Sequence, residues 1–188
     1  MAEYKNRVTS PNAELLGGMI YSLWGAFPEG YQAIVHEVLA NHGIKDVVPE
    51  NWYRLQPVLD ALKEIEERFG HYLLREVGEQ AAVHAPIPPE IDSLHACLFA
   101  LNPTLNRFHR GGDIGGNDVK EEKTESGLKR YRVTDSTPYP CMLTGGYLQG
   151  LARRFGSRDY KEVLVRHDDE SPCRRQGAEF CTYFVTCW

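Results

Sequence analysis

The sequence predicts an α+β fold in which N-terminal helices pack against a C-terminal antiparallel sheet carrying a cysteine-rich metal site. Three observations predict it. Apolar residues recur at helical spacing through much of the first hundred positions. The last quarter, from Pro140 to Trp188, gives one glycine-bearing helix signal and then two runs of strand character. Cys141, Cys173 and Cys181 stand at the joints between those runs.

With 188 residues the chain is long enough for one domain with a real core. An apolar content of 42% separates it from disordered sequences. A net charge of −5 without a basic stripe argues against nucleic acid as a direct partner. No apolar run reaches the ~18 residues of a membrane span, and MAEYKNRVTSPNAE has no signal-peptide core, so the expectation is a cytoplasmic protein without membrane contact. Five cysteines in a reducing compartment favour metal or free thiols over disulfides.

The elements follow in order. Residues 1–14 read as a flexible arm, and 15–188 as a single ligand-binding domain. LLGGMIYSLWGAF, 15–27, is an apolar helix signal, either core or a dimer face. Tyr31, Ile34, Val35, Val38 and Leu39 form one helical stripe that stops at Gly43. A second helix spans 55–69 on Val58, Leu62, Ile65 and Phe69, its Lys63, Glu64, Glu66 and Glu67 face solvated. YLLREVG gives a short third helix ending at Gly78, and Asn51-Trp52-Tyr53 is an aromatic hinge. Pro89 suits the first position of the next helix, striped by Ile91, Leu94, Leu98 and Leu101. Residues 108–127 are Gly-rich and then charged, a mobile loop that forms a hairpin end or a lid, without phosphate-loop spacing. GLKRYRVT, 127–134, alternates as a strand, and VLVRH, 163–167, is another. Gly145, Gly146 and Gly150 let the helix after Cys141 approach a sheet closely. In the last strand Cys181, Tyr183, Val185 and Cys187 share one face.

Cys173 and Cys181 flank Gly177 in a C-x3-G-x3-C arrangement, which lets two thiolates converge across a turn. Zinc takes such soft ligands in tetrahedral geometry, completed by His or carboxylate. The local candidates are His167 and Glu170. Cys187 lies six residues past Cys181, about 20 Å along an extended strand, and is a spare thiol. Cys97 reads as a small core hydrophobe.

These residues resemble the vinyl-four-reductase (4-vinyl reductase) domain family, with H-NOX-like and TRAPP-subunit-like relatives further out. The resemblance rests on Cys141, Thr144-Gly145 with Gly150, Val163-Leu164-Val165, Glu170, then Cys173, Gly177 and Cys181. It implies a small-molecule sensor module with a structural zinc on Cys141, Cys173, Cys181 and Glu170. The segment from Cys141 to Cys173 is several residues longer than in the aromatic-sensing members, which puts His167 where the acidic ligand falls; the fourth ligand is open between the two. A second resemblance concerns IDSLHACLFALNP: Asp92, Leu94, His95 and Pro103 are similar to the proximal-helix motif of haem-binding H-NOX domains. It implies His95 as an iron ligand. The Y-x-S-x-R motif that holds the haem there is Tyr131-Arg132-Val133-Thr134-Asp135 here, which keeps only the Tyr.

The functional expectation is therefore a sensor or carrier for a hydrophobic or aromatic small molecule, with zinc as cofactor. Trp52, Tyr53, Phe99, Phe108, Tyr131 and Tyr147 are the aromatic candidates for its pocket. With no DNA-binding segment apparent, output would pass to a protein partner, and the apolar 15–27 run and the related domains suggest a homodimer. The alternatives are an enzyme acting on a tetrapyrrole or polycyclic substrate, though no dinucleotide or flavin fingerprint is present, and a haem-based gas sensor on His95.

Overall fold

The structure, a computed structural model, describes residues 10–171 and 173–188; the first nine residues of the expected arm lie outside the described residues. Glu14–Leu16 at the end of that arm forms β1 rather than a free tail. It is followed by α1 (Gly17–Gly25), α2 (Glu29–Asn41), β2 (Trp52–Arg54), α3 (Leu55–Phe69) and α4 (His71–His84). Then come α5 (Leu94–Phe99), α6 (Leu101–Phe108), β3 (His109–Arg110), β4 (Asn117–Lys123) and β5 (Lys129–Asp135). The chain closes with α7 (Cys141–Gly156), β6 (Val163–His167), a 3-10 turn (Arg174–Gln176) and β7 (Cys181–Cys187). This is the α+β architecture that the sequence predicts.

Two sheets result. A small one has strand order β2-β1-β3, and a larger antiparallel one has order β4-β5-β7-β6. The aromatic hinge at Trp52 is thus a strand, pairing Trp52 with Leu16. In β7 the buried face is Cys181, Tyr183, Val185 and Cys187, as the period-2 pattern requires.

Side chains sort into two cores. The first gathers α1, α2, α3 and the first half of α4, where Val58, Leu62 and Ile65 are fully buried, and Phe69 meets Tyr31 edge to face with ring centroids 5.3 Å apart. The second joins α5, α7 and the inner face of the larger sheet through Leu98, Leu148, Leu151, Tyr131 and Val185. No helix among the described residues is long and apolar enough to cross a membrane.

Three elements depart from the sequence reading. The third helix does not end at Gly78: α4 runs on to His84, because Gly78 marks close approach rather than a stop. A Cβ on Gly78 would collide with the Leu143 carbonyl of α7, and Cβ atoms on Gly146 and Gly150 would collide with the carbonyls of Arg75 and Glu79. So Gly146 and Gly150 bring α7 against α4, and only Gly145 faces the sheet, beneath the Tyr183 ring. The next helix begins at Leu94, not Pro89, since Ser93 caps it by accepting from the Ala96 N–H at 3.2 Å. The 108–127 stretch departs from the lid reading and meets the hairpin-end one, since β4 pairs antiparallel with β5 along its whole length. Asn102 grips Asn117 with two hydrogen bonds of 2.7 Å, Ser136 accepts from the Gly116 N–H at 3.0 Å, and residues 117–123 form the edge strand β4.

Candidate functional site

Four segments place their chemistry together at one end of the larger sheet. Cys141 opens α7, His167 ends β6, Cys173 leads into the 3-10 turn, and Cys181 begins β7. Their ligand atoms all lie within 4.8 Å of one another. The three cysteines are buried, and the His167 side chain is mostly so. Gly177, at φ 86°, turns the chain out of the 3-10 segment and back toward Cys181.

The surroundings orient each ligand. Tyr183 donates to the Cys141 carbonyl at 2.7 Å, and its ring lies edge-on to His167 at 5.2 Å. Cys173 is held by a reciprocal capping pair with Gln176. The Arg174 backbone N–H donates to the Cys181 sulfur at 3.5 Å. On His167, Nδ1 lies 3.4 Å from Asp169, while Nε2 is buried with no hydrogen-bond partner among the described residues. A buried imidazole nitrogen without a partner, among three sulfurs, has the character of a metal ligand.

The titrating groups of the cluster act strongly on one another. Cys181 is held well below the ordinary thiol range, first by the hydrogen bond from Cys141 and then by His167 and Arg174. Cys141 is pushed up by the same bond and by burial. His167 is raised, chiefly by Cys181. Tetrahedral zinc with Zn–S near 2.3 Å sets sulfurs about 3.8 Å apart, so the cluster needs only a small contraction to close on such an ion.

Glu170 does not join. It is exposed, and its backbone N–H donates to Asp168 at 3.1 Å. Of the two candidates, His167 lies in the cluster and Glu170 does not. Cys187 and Cys97 also stand apart from the cluster. Cys97 is buried, and burial raises its thiol to about 12.

Beside the cluster, where the two cores meet, lies an apolar cavity of about 160 Å³. Leu15, Met19 and Leu143 come from the first core, and Cys97, Leu148 and Leu151 from the second. Its polar lining includes Asp135, Thr137, Tyr139 and His109 beside Ser22, Thr104, Asn117 and Thr144. His109 stands between the Leu105 carbonyl, 2.8 Å from Nδ1, and the Tyr139 hydroxyl, 2.7 Å from Nε2. Asp135, fully buried, accepts from the Thr137 N–H at 3.0 Å and from Arg174 at 2.8 Å.

Of the six aromatic candidates, Phe108 and Tyr147 line this cavity. The other four do not. Trp52 lies under the Arg110 guanidinium, Tyr53 accepts from the Val48 N–H, Tyr131 is fully buried against the second core, and Phe99 is half exposed. His95 lies outside as well: its side chain is 54% exposed, 3.2 Å from Glu121, and stacked on Phe99. The Asp135, Thr137 and Tyr139 stretch is where sequence reasoning was blind. Its only sequence signal is the unbroken alternation carried by β5 into the Asp135–Pro140 turn.

No family model and no curated protein matches the chain. Solved structures do. An oxygen-binding H-NOX domain related to soluble guanylate cyclases, solved as its oxygen complex, superposes with a TM-score of 0.57 at 14% identity, covering 91% of this chain and 94% of that one. A structure from a study of haem distortion in the H-NOX family gives a TM-score of 0.58 at 13% identity over 91% of this chain and 94% of that one. One from a study of haem redox potential under protein-induced porphyrin distortion gives 0.56 at 13% identity over 93% of this chain and all of the other. The chain therefore has an H-NOX-like fold, which upholds the more distant of the two resemblances. The 4-vinyl-reductase resemblance rests on its cysteine, glycine and strand motif alone.

Proposed function

We propose that the chain is a sensor domain that takes a small apolar molecule into the cavity between its two cores, with a zinc ion closing the Cys141, His167, Cys173 and Cys181 cluster as a structural pin. The cavity carries the proposal: apolar on nearly every wall with a few hydrogen-bonding groups among them, it has the anatomy of a ligand pocket, though of a size that suits only a very small molecule. The likeness to H-NOX domains supports the sensor class. Four protein ligands would leave no open position on the metal, which favours a structural over a catalytic ion. Zinc would tie α7, β6, β7 and the 3-10 turn together, so that binding energy becomes folding energy. A sensor requires an output, and the proposal includes a protein partner or a second copy of the chain, which light scattering of the purified protein addresses.

A second reading is favoured by one observation, the likeness to structures that hold haem. A haem on His95 does not fit the residues as they stand, because that imidazole faces solvent and Glu121 rather than the cavity. His109, which does line the cavity, has both ring nitrogens engaged. Absorption spectroscopy and elemental analysis of one purified sample separate the readings. About one zinc per chain without visible absorption is the expected result; a Soret band with iron overturns the apolar-ligand proposal, and absence of both metals overturns the zinc.

A further inference from the structure

One buried ion pair stands between the cavity and the cysteine cluster. Arg174 follows Cys173 directly, yet its side chain is 2% exposed. Its Nη2 donates to Asp135 at 2.8 Å, and Asp135 in turn pairs across the sheet with Cys181. The guanidinium offers five N–H donors. Nε and Nη1 are buried with no hydrogen-bond partner among the described residues. Arginine left in that state is costly, since burying a charge is repaid only when its remaining donors are satisfied. Asp135 supplies one acceptor and nothing more.

The Cys181 sulfur beside it already acts on the guanidinium, and filling the cluster fixes negative charge there. Three thiolates and a neutral imidazole around a divalent ion carry one net negative charge, buried and centred beside Arg174. Cys181, already the acceptor for the Arg174 backbone N–H, is the sulfur that charge reaches first. We infer that Arg174 is the built-in counter-charge of the filled centre, setting its affinity for a thiophilic divalent ion, while Asp135 holds part of that charge back from it. The inference rests on the zinc reading above. It assigns to Arg174 a positioning and charge-balancing role, not ligation.

The test is zinc affinity by competition with a chromophoric chelator, together with the absorption spectrum of the cobalt(II)-substituted protein. Arg174→Met keeps an unbranched stem and removes the charge; it should weaken zinc binding by about 10- to 100-fold. Loss of N–H donation to sulfur should also move the sulfur-to-cobalt charge-transfer band to longer wavelength. Asp135→Asn should have the opposite sign, with zinc bound as tightly as in the wild type or tighter, because Arg174 is then no longer shared. A pair that serves structure alone would weaken binding in both variants. Should either variant fail to fold, Arg174→Lys retains the charge without the fork and should fall between wild type and Arg174→Met. Arg174→Met with wild-type zinc affinity and an unshifted cobalt band overturns the inference and leaves the zinc reading standing. A wild-type protein that binds no zinc overturns the zinc reading itself.

Discussion

His167 and Glu170 are three residues apart and meet different fates, because β6 ends between them. His167 is still in register, opposite Tyr183, so its ring is carried onto the cluster side of the sheet. Glu170 follows the Asp168 turn and projects to solvent. His167→Ala should therefore lower zinc content by an order of magnitude or more, while Glu170→Ala should leave it unchanged; elemental analysis of both variants decides. The three cysteines were legible in the sequence because metal ligands need particular atoms at particular joints. The place of His167 beside them was not, because it depends on where β6 ends, which sequence alone leaves open between His167 and Glu170. A second prediction belongs to His109. Burial lowers its pKa, against a smaller opposing pull from the Leu105 carbonyl. A histidine depressed in the folded state takes up a proton more readily when unfolded. Its stabilisation is thus complete above the ordinary histidine range near 6.5 and is lost as pH falls below that toward the folded value. Urea titrations of wild type and His109→Gln between about pH 7 and about pH 5 should show a flatter loss of stability in the variant. Equal slopes would show that His109 does not titrate in that window.

At the scale of elements the α4–α7 contact fixes the fold. Backbone meets backbone where Gly78, Gly146 and Gly150 lie, and each glycine gives up about 1 kcal/mol of helix propensity relative to alanine for that approach. Gly146→Ala should overpack the contact, since its Cβ would strike the Arg75 carbonyl, which cannot swing aside as a side chain can. A loss of about 1–3 kcal/mol follows, or a Tm lower by roughly 2–12 °C for a chain of this size. Gly30→Ala on α2 meets nothing within 4 Å and should gain about 0.5–1 kcal/mol instead. Thermal melts of the two variants should move in opposite directions. Helices with a clean apolar stripe, such as α3, were readable from periodicity because their burial is one-sided. Gly78 and β4 were not. A glycine that stops a helix and one that seats another helix look alike in one sequence. The charged run Asn117–Lys123 carries little alternation because an edge strand has one neighbour and a wet face, where charges discourage pairing with another chain.

For the whole molecule the consequential feature is that its two cores do not quite close on each other. Leu15 and Leu143 on one side, Leu148 and Leu151 on the other, leave the cavity at the junction. A void among apolar side chains forfeits dispersion contacts, so filling it should stabilise the fold. No count of apolar residues reveals such a gap, because it depends on how α4, α6 and α7 are spaced. The same dependence explains why only Phe108 and Tyr147 of the aromatic candidates reach it. An engineered apolar cavity of about 150 Å³ is known to take benzene, and benzene is accordingly the first probe here. At a hundred times its Kd a ligand specific for the folded state adds about 2.7 kcal/mol, which for this length raises Tm by roughly 5–10 °C. Ala81→Leu, which places a side chain into the cavity from α4, should reproduce part of that rise without ligand and abolish the response to benzene. The pairing of outcomes matters. A benzene shift that persists in Ala81→Leu would put the ligand elsewhere on the protein. No shift in either protein would mean that the gap is packing slack, and the sensor reading would lose the observation that carries it.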